Sequence, residues 1–355
     1  MFSRGKSLAR PFFPVIVAKM GSTEQITTAL KAWADAKFGA GTRVNGLKRL
    51  SGGASQETWA FEVSGNGQNR PLILRRAPGG VEAARSSEAI GLSMEAELLG
   101  RAAAAGVPVP PVLGVFESGS DLGHAFIMDR IAGETLGRKI LRDDVFSQAR
   151  TALSAQCGEA LARIHSIPRD TLPQLPVSDG MSQLAKYESI YRAFDLPRPV
   201  FELAISWLRS HAPEPLPVVL VHGDFRLGNL IVSEAGLASV LDWELAHIGD
   251  PREDIAWLCV NSWRFGHAER RVGGFGDLPD LLEAYARAGG TSFKPADIDW
   301  WEMLGSLKWG IMCMIMYEAY RSGADPSVER AAIGRRVSET EMDLVHLLEG
   351  VRDHA

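Results

Sequence analysis

Cysteine is scarce in this sequence, and the few that occur are not arranged as a framework. The 355 residues include three cysteines, and Cys157, Cys259 and Cys313 lie far apart in apolar, helix-like stretches. An odd number of widely spaced thiols predicts neither a disulfide scaffold nor a metal cluster. A reducing cytoplasm is the compartment that fits this usage best.

Excess positive charge and long apolar runs are also missing. The net charge is −5 at pH 7 and the basic residues form no block, so the chain lacks the electrostatic footprint of a nucleic-acid-binding protein. The apolar run at 311–316 is far too short to cross a bilayer. We therefore expect neither a nucleic-acid partner nor a membrane partner.

The first twenty residues differ from the rest. An apolar run at 12–18 follows several basic residues, faintly like a signal peptide, but Pro14 interrupts it and no clear small-residue cleavage site follows. We interpret residues 1–20 as a disordered leader, as an over-extended start with Met20 the true first residue, or as cloning-derived sequence.

Hydrophobic periodicity and turn residues predict the secondary structure of the remainder. Strands are predicted at 46–50, 58–63, 71–75, 112–116 and 124–128, and helices at 22–38, 87–105, 146–165, 181–194, 199–211, 297–320 and 327–348. One more helix is expected to begin at Asp250, which would act as its N-cap ahead of Pro251.

One polar loop between apolar strands is the most informative stretch. Residues 218–221 are apolar, residues 222–228 have the composition of a loop, and β-type sequence resumes at 231–232 and again at 238–241. Two strands around such a loop would direct Asp224, Asn229 and Asp242 into one cleft.

These three side chains are the types that phosphoryl transfer from a nucleotide requires. A carboxylate must orient the acceptor hydroxyl and accept its proton, which suits Asp224. Hard oxygen ligands must hold Mg²⁺ against the phosphates, which suits Asn229 and Asp242. Asp and Asn also favour turns for backbone reasons alone, but these three together with His222 make four positions in register between apolar strands, which are hard to obtain by chance.

The segment His222-Gly-Asp-Phe-Arg-Leu-Gly-Asn229, followed by Asp242-Trp-Glu244, resembles the signature of the aminoglycoside phosphotransferase/choline kinase-like family. It looks most like a branch related to the kinase-like domains fused to some acyl-CoA dehydrogenases. The resemblance covers nearly everything from residue 46 to the C-terminus. It implies an α+β, protein kinase-like two-lobe fold, with a small β-rich N-lobe at 21–130, a larger and mainly helical C-lobe at 131–355, and the active site between them.

The resemblance also implies nucleotide contacts in the N-lobe. Arg75 stands where kinase-like folds have a Lys, and Glu95 matches the Glu that pairs with it, with Glu97 as the alternative. Arg is a departure from the family pattern, although its guanidinium can contact both phosphates and a carboxylate. Residues 128–131 would form the hinge that binds adenine through its backbone. The remaining candidates are the small residues of the turn before the second strand and two hinge residues: Ser51, Gly52, Gly53, Ala54, Ser55, Met128 and Arg130.

Four further residues of the C-lobe have implied roles around Asp224. Arg226 occupies the place where protein kinases have a Lys that touches the transferred phosphate, and the alternative is a surface Arg. His222 is expected to brace the loop. Glu244 is expected to contact the metal through a water molecule or to orient neighbouring groups. Asp254 would accept hydrogen bonds from backbone N–H groups of the catalytic loop.

The acceptor side is the least specified part of the sequence. Trp263, Arg264 and Trp309 are candidates for the pocket wall, although tryptophans at helical spacing usually belong to the core. Lys308 and Arg321 also lie among the apolar C-terminal helices. That mixture fits an acidic or acyl-bearing acceptor better than a polycationic antibiotic.

The sequence therefore predicts a small-molecule kinase that uses ATP (or GTP) and Mg²⁺ to phosphorylate a hydroxyl group. A hydroxyacyl compound or its CoA thioester is the favoured acceptor. Three alternatives stay open: a nucleotide-binding pseudokinase, an aminoglycoside or other antibiotic kinase, and a Mg²⁺-dependent phosphohydrolase. The sequence is compatible with a monomer or a homodimer.

Overall fold

The structure is a computed structural model that describes residues 23–50, 56–65, 67–81 and 89–352. The expected leader at 1–20 and the expected phosphate-contacting turn Ser51–Ser55 lie outside these residues. The described part of the N-lobe contains, in chain order, α1 (Thr23–Phe38), β1 (Arg43–Arg49), β2 (Glu57–Gly65), β3 (Gln68–Arg76), α2 (Leu92–Ala104), β4 (Val112–Phe116) and β5 (Ala125–Asp129).

The five strands form one antiparallel sheet in the order β1-β2-β3-β5-β4. Successive strand side chains point to opposite faces. Leu72 and Leu74 of β3 accordingly pack with Leu30 of α1, whereas Ile73 joins the core that includes α2. The same alternation turns Arg75, at the end of β3, towards α2.

The C-lobe is mainly helical and carries two short β-ribbons. Its elements are α3 (Gly137–Arg142), α4 (Ser147–His165), α5 (Gly180–Ala193), α6 (Pro199–Ser210), β6 (Val219–Val221), β7 (Leu230–Ser233), β8 (Gly236–Val240), β9 (His247–Gly249), α7 (Arg252–Cys259), α8 (Leu278–Arg287), α9 (Ala296–Arg321), α10 (Val328–Gly334) and α11 (Val337–Arg352). The predicted α+β, protein kinase-like two-lobe fold is thus confirmed.

The two ribbons bring two loops together at their ends. Strand β6 pairs antiparallel with β9, and β7 pairs antiparallel with β8, with Leu230 opposite Val240. The loop 222–229 therefore runs from one ribbon to the other, and the loop 241–246 returns beside it. This is why residues distant in sequence meet in one cleft.

The helix predicted at 87–105 corresponds to α2, and its predicted start is wrong over the described residues 89–91. Gly91 is extended, with ψ at 161°, and α2 begins only at Leu92. The Ile90 backbone N–H donates to the Glu244 carbonyl at 2.9 Å, so this stretch is held against the C-lobe rather than coiled into the helix.

Two other boundary predictions need correction. The helix predicted at 327–348 is divided into α10 and α11. Gly334, the last residue of α10, lies so close to α9 that a Cβ there would be 2.6 Å from the Cβ of Tyr317. Helix α7 begins at Arg252, and Asp250 caps it from two residues before, accepting the Arg252 N–H at 2.9 Å. Among the described residues, none of the helices has the length and apolar character that a membrane crossing demands.

Close packing of α4 against α8 depends on Gly158. A Cβ at this position would lie 2.9 Å from the Tyr285 backbone nitrogen in α8 and still closer to the Leu281 carbonyl oxygen. Helix α8 was not predicted from the sequence, and its contact with α4 is the one that needs this glycine.

We expect Gly158→Ala to lower the free energy of unfolding by about 1–3 kcal/mol, because an extra methyl group in a tight helix contact forces backbone shifts. Gly350→Ala is the matched control. Gly350 is exposed on α11 and a Cβ there would meet no atom within 4 Å, so alanine should be neutral or stabilising by up to about 1 kcal/mol. Urea unfolding measures both, and equal effects would contradict a close α4–α8 contact.

Candidate active site

The side chain of Asp224 is held by three hydrogen-bond donors. Trp257 Nε1 donates to Oδ1 at 2.7 Å, and Asn229 Nδ2 donates to Oδ2 at 2.6 Å. Arg226 Nε lies 3.0 Å from Oδ1 and 3.2 Å from Oδ2. A carboxylate that accepts this many bonds has a fixed orientation, as a group that must meet a hydroxyl proton requires.

The backbone that carries Asp224 is fixed from below by Asp254. This carboxylate is fully buried and accepts the backbone N–H groups of His222 at 2.7 Å and Gly223 at 2.9 Å. Its Oδ2 also lies 3.2 Å from Nε2 of His165. Gly223 has φ at +81°, and a Cβ there would collide with the Leu245 carbonyl oxygen, so a glycine is needed beside this contact.

His222 links the two loops of the cleft. Its Nδ1 accepts the Asp224 backbone N–H at 3.2 Å, so Nε2 carries the hydrogen and donates to the Leu241 carbonyl at 3.0 Å. Burial lowers the pKa of His222 against the opposing influence of the neighbouring carboxylates. A neutral imidazole with this tautomer hydrogen-bonds to both loops, an arrangement compatible with the bracing role expected for His222.

Asn229 and Asp242 are adjacent at the end of the β7–β8 ribbon. Leu241 N–H donates to the Asn229 carbonyl at 2.8 Å, which sets Asp242 next to Asn229. Because the Asn229 amide nitrogen faces Asp224, its side-chain oxygen is the atom left for a cation. One amide oxygen and one carboxylate are the hard donors that Mg²⁺ takes from a protein when phosphates and water complete its shell. The two residues therefore fit the metal.

Arg75 connects the N-lobe to this pair. Its Nη1 lies 3.2 Å from Glu95 Oε1 and its Nη2 lies 3.0 Å from Asp242 Oδ1. Burial alone would lower the pKa of Arg75, but Glu95 and Asp242 outweigh it and raise that pKa above its ordinary value. Glu95, rather than Glu97, is thus the partner of Arg75; Glu97 pairs with Arg101.

Glu244 also joins the lobes, through its side chain as well as its backbone. Gln56, the residue just before β2, donates from Nε2 to Glu244 Oε2 at 3.2 Å. Together with the Ile90 contact, this ties the loop 241–246 to the N-lobe at two places. The structure thus places the Glu244 side chain against the end of the N-lobe sheet at which β2 begins.

The expected hinge residues lie at the end of β5. Met128 is buried and pairs with Ile73 of β3. The Arg130 backbone N–H donates to the Pro71 carbonyl at 3.1 Å. That amide is already engaged within the sheet, which argues against the expectation that it bonds adenine.

The expected acceptor-side residues separate into two groups. The Trp263 ring lies beneath Arg226, with the guanidinium carbon 4.7 Å from its centroid, and Trp309 packs behind Trp263 at 4.7 Å between centroids. Arg264 is turned inward instead. Its guanidinium donates to the Cys259 and Ala268 carbonyls and to Glu302. All three guanidinium nitrogens thus donate to the protein itself, which does not support the substrate role expected for Arg264.

Trp257, which was not among the expected site residues, contacts Asp224 directly, and Lys308 lies over the ring of Trp257. Trp257 donates to the carboxylate, and the ammonium of Lys308 lies 5.3 Å from the centre of the Trp257 ring and 5.5 Å from that of Tyr187. Glu253 Oε1 and Gln183 Oε1 hold the ammonium at 3.6 and 3.4 Å. The available signal was the spacing of Asp254 and Trp257, which places both on one face of a helix.

The site lies between a β-rich lobe and a helical lobe, and it brings Asp224, Asn229 and Asp242 together. This is the arrangement of a protein kinase-like phosphotransferase. The chain belongs to the phosphotransferase enzyme family, whose sequence model matches residues 46–302. Its class is that of small-molecule kinases, and the resemblance to the aminoglycoside phosphotransferase/choline kinase-like family is confirmed.

Relatives and solved structures agree with this placement. Acyl-CoA dehydrogenase family member 10 from Mus musculus is 31% identical over 223 residues, which cover 60% of this chain and only 20% of that protein. A Ralstonia eutropha structure described as a candidate aminoglycoside phosphotransferase has a TM-score of 0.70 at 22% identity, covering 91% of this chain and 98% of that one. An aminoglycoside phosphotransferase in ternary complex with AMP-PNP and hygromycin B has a TM-score of 0.58 at 18% identity, with coverage of 91% and 98%.

We expect Asp254→Asn to destabilise the loop 222–229, because one of the two buried backbone donors would then face an amide NH₂ group. The expected loss is about 1–3 kcal/mol for the unsatisfied donor. Hydrogen exchange of a peptide spanning 219–230, together with urea unfolding, measures it. Asp224→Asn is the control, since it alters a side chain of the same loop without removing a backbone contact; equal exchange in the two variants would contradict the role of Asp254.

Proposed function

We propose that this protein transfers the γ-phosphate of ATP (or GTP) to a hydroxyl group of a small molecule, with Mg²⁺ as the cofactor. The observation that carries the proposal is the Asp224 carboxylate, fixed in the cleft between the lobes next to Asn229 and Asp242. The similarity to a structure solved with AMP-PNP supports a nucleoside triphosphate as the donor.

The residues of the cleft divide the reaction between them. Asp224 orients the acceptor hydroxyl and takes its proton as the oxygen bonds to the γ-phosphorus and the bond to the bridging oxygen breaks, releasing the nucleoside diphosphate. Mg²⁺ held by Asn229 and Asp242 would offset charge on the phosphates. Arg226 stabilises the charge on the transferred group.

The N-lobe supplies the remaining nucleotide contacts in this proposal. Arg75 sits between Glu95 and Asp242, and a guanidinium there can also reach phosphate oxygens. The expected turn Ser51–Ser55 directly precedes Gln56 in the sequence, and Gln56 contacts Glu244 in the C-lobe. That connection supports the assignment of the turn to the phosphates.

The acceptor we propose is a hydroxyacyl compound or its CoA thioester. The relative from Mus musculus is named as an acyl-CoA dehydrogenase family member, although the chain spans a fifth of its length. A cation also lies near the Asp224 carboxylate: the Lys308 ammonium is 5.3 Å from the centre of the Trp257 ring, whose Nε1 donates to Asp224. Such a cation suits an acidic acceptor and repels a polycationic antibiotic.

We expect Mg²⁺- and nucleotide-dependent product formation with an acidic hydroxyacyl acceptor, and its loss by about 100-fold or more in Asp224→Ala. The measurement is nucleoside diphosphate release against a panel of hydroxyacyl-CoAs, free hydroxy acids, aminoglycosides, choline and sugars. Nucleotide binding, followed by the rise in melting temperature with Mg²⁺-ATP, should survive the substitution. Binding with no acceptor-dependent turnover would favour a pseudokinase, and phosphate release that no acceptor raises would favour a phosphohydrolase.

We expect Lys308→Met to raise the KM of the acidic acceptor about tenfold, because the substitution removes the cation and keeps an aliphatic side chain over Trp257. The KM of ATP should stay within about twofold, since Lys308 belongs to the acceptor side. Lys294→Met removes one exposed positive charge from the same lobe and is the control. An acceptor KM equally unchanged in both variants would rule out Lys308 as an anion contact.

A further inference from the structure

The hydrogen bonds that Asp224 accepts limit its ability to take a proton from the acceptor hydroxyl, which is the role we propose for it. Each carboxylate oxygen offers about two lone-pair positions. Oδ1 accepts from Trp257 and Arg226, and Oδ2 accepts from Asn229 and Arg226. A carboxylate surrounded in this way can accept a hydroxyl proton only when one of the donors withdraws.

The three donors differ in what else they do. Arg226 has the phosphate as a second partner in the proposed reaction, and its departure would open one position on each oxygen. Asn229 can keep its amide nitrogen on Oδ2 while its oxygen faces the metal. Trp257 has a single polar atom, a donor, and this atom points at Oδ1. Among the three donors, Trp257 is therefore the one whose polar atom has no second partner in the proposed reaction.

The indole ring of Trp257 is held firmly in place. The side chain is 6% exposed, and its ring lies 5.4 Å from that of Trp263 between centroids. Gly305 of α9 approaches the ring so closely that a Cβ would lie 3.3 Å from it. The Lys308 ammonium covers the ring as well. A donor fixed on several sides directs its N–H without first losing side-chain entropy.

Trp257 shares its helix face with Asp254, three residues earlier. Residues three apart on a helix are neighbours on its surface. Asp254 holds the backbone N–H groups of His222 and Gly223, and Trp257 holds the side chain of Asp224. Helix α7 thus contacts both the backbone and the carboxylate of one loop.

We infer that Trp257 is a positioning residue, whose indole N–H keeps the Asp224 carboxylate in its reactive orientation while Arg226 moves to the phosphate. The inference rests on the proposed function. It follows that loss of the N–H lets the carboxylate rotate, and the remaining Asn229 bond alone does not fix the oxygen that faces the acceptor hydroxyl.

Replacement of Trp257 by Phe tests the inference in turnover. We expect kcat to fall about 10- to 100-fold, the scale of lost positioning, with the KM of ATP within about twofold. Trp257→benzothienylalanine, which exchanges the indole N–H for sulfur and keeps the ring shape, should reproduce the fall and so excludes a packing effect. Trp301→Phe is the control, because its buried Nε1 has no hydrogen-bond partner among the described residues. Equal kcat in Trp257→Phe and Trp301→Phe, or wild-type kcat with benzothienylalanine, overturns the inference.

A second readout does not depend on activity. In a ¹⁵N spectrum of the indole groups, Trp257→Phe identifies the Trp257 resonance by its disappearance. We expect Asp224→Ala to move that resonance upfield in ¹H and to speed its hydrogen exchange, whereas Asp242→Ala, which removes another carboxylate from the cleft, should do neither. If the wild type turns over no nucleotide with any acceptor, the proposed function fails, and with it the positioning role in catalysis. An unmoved resonance in Asp224→Ala shows instead that the hydrogen bond itself is absent.

Discussion

The buried carboxylate of Asp254 is the interaction on which the cleft depends. A charge removed from water is tolerated only when its oxygens accept enough hydrogen bonds, and here two come from consecutive backbone N–H groups of the catalytic loop. Fixing those two amides fixes the direction in which Asp224 leaves the loop. The ring of His222 then transmits the same constraint to Leu241, and so to the position of Asp242.

Asp224 and Asp242 are each paired with an arginine for which we propose a phosphate contact. Arg226 lies on Asp224 and Arg75 on Asp242. Arg75 contacts Glu95 with one nitrogen of its fork and Asp242 with the other, a division that a single ammonium makes less well. This geometry gives a physical reason why Arg can stand where related folds have Lys: it bridges the lobes while keeping the N-lobe ion pair.

Local periodicity and the family resemblance predicted different parts of the site. A loop between two strands predicted that Asn229 and Asp242 meet, and the ribbon places them together. The pairing of Arg75 with Glu95 was implied by the resemblance alone, and the structure contains that ion pair. The contact of Trp257 with Asp224 could not be predicted from the sequence, because a tryptophan at helical spacing resembles a core residue whether or not its indole nitrogen has a partner. The start of α2 and the inward turn of Arg264 were also missed, since both depend on distant partners, Glu244 and Glu302, that only the packed lobes define.

Helix α7 also connects the catalytic loop to the acceptor side. Glu253 points away from the loop and contacts His247, Gln183 and Lys308. Although burial alone would raise its pKa, His247 and Lys308 lower the pKa of Glu253 to about 2, so it stays charged and keeps Lys308 in place. One short helix thus supports the Asp224 loop through Asp254 and Trp257, and the Lys308 ammonium through Glu253. In the proposed reaction, substitution of Lys308 or Gln183 would therefore change the charge near the acceptor without removing the hydrogen bonds from Asp254 to the loop. That separation suits a family with varied acceptors on a common fold.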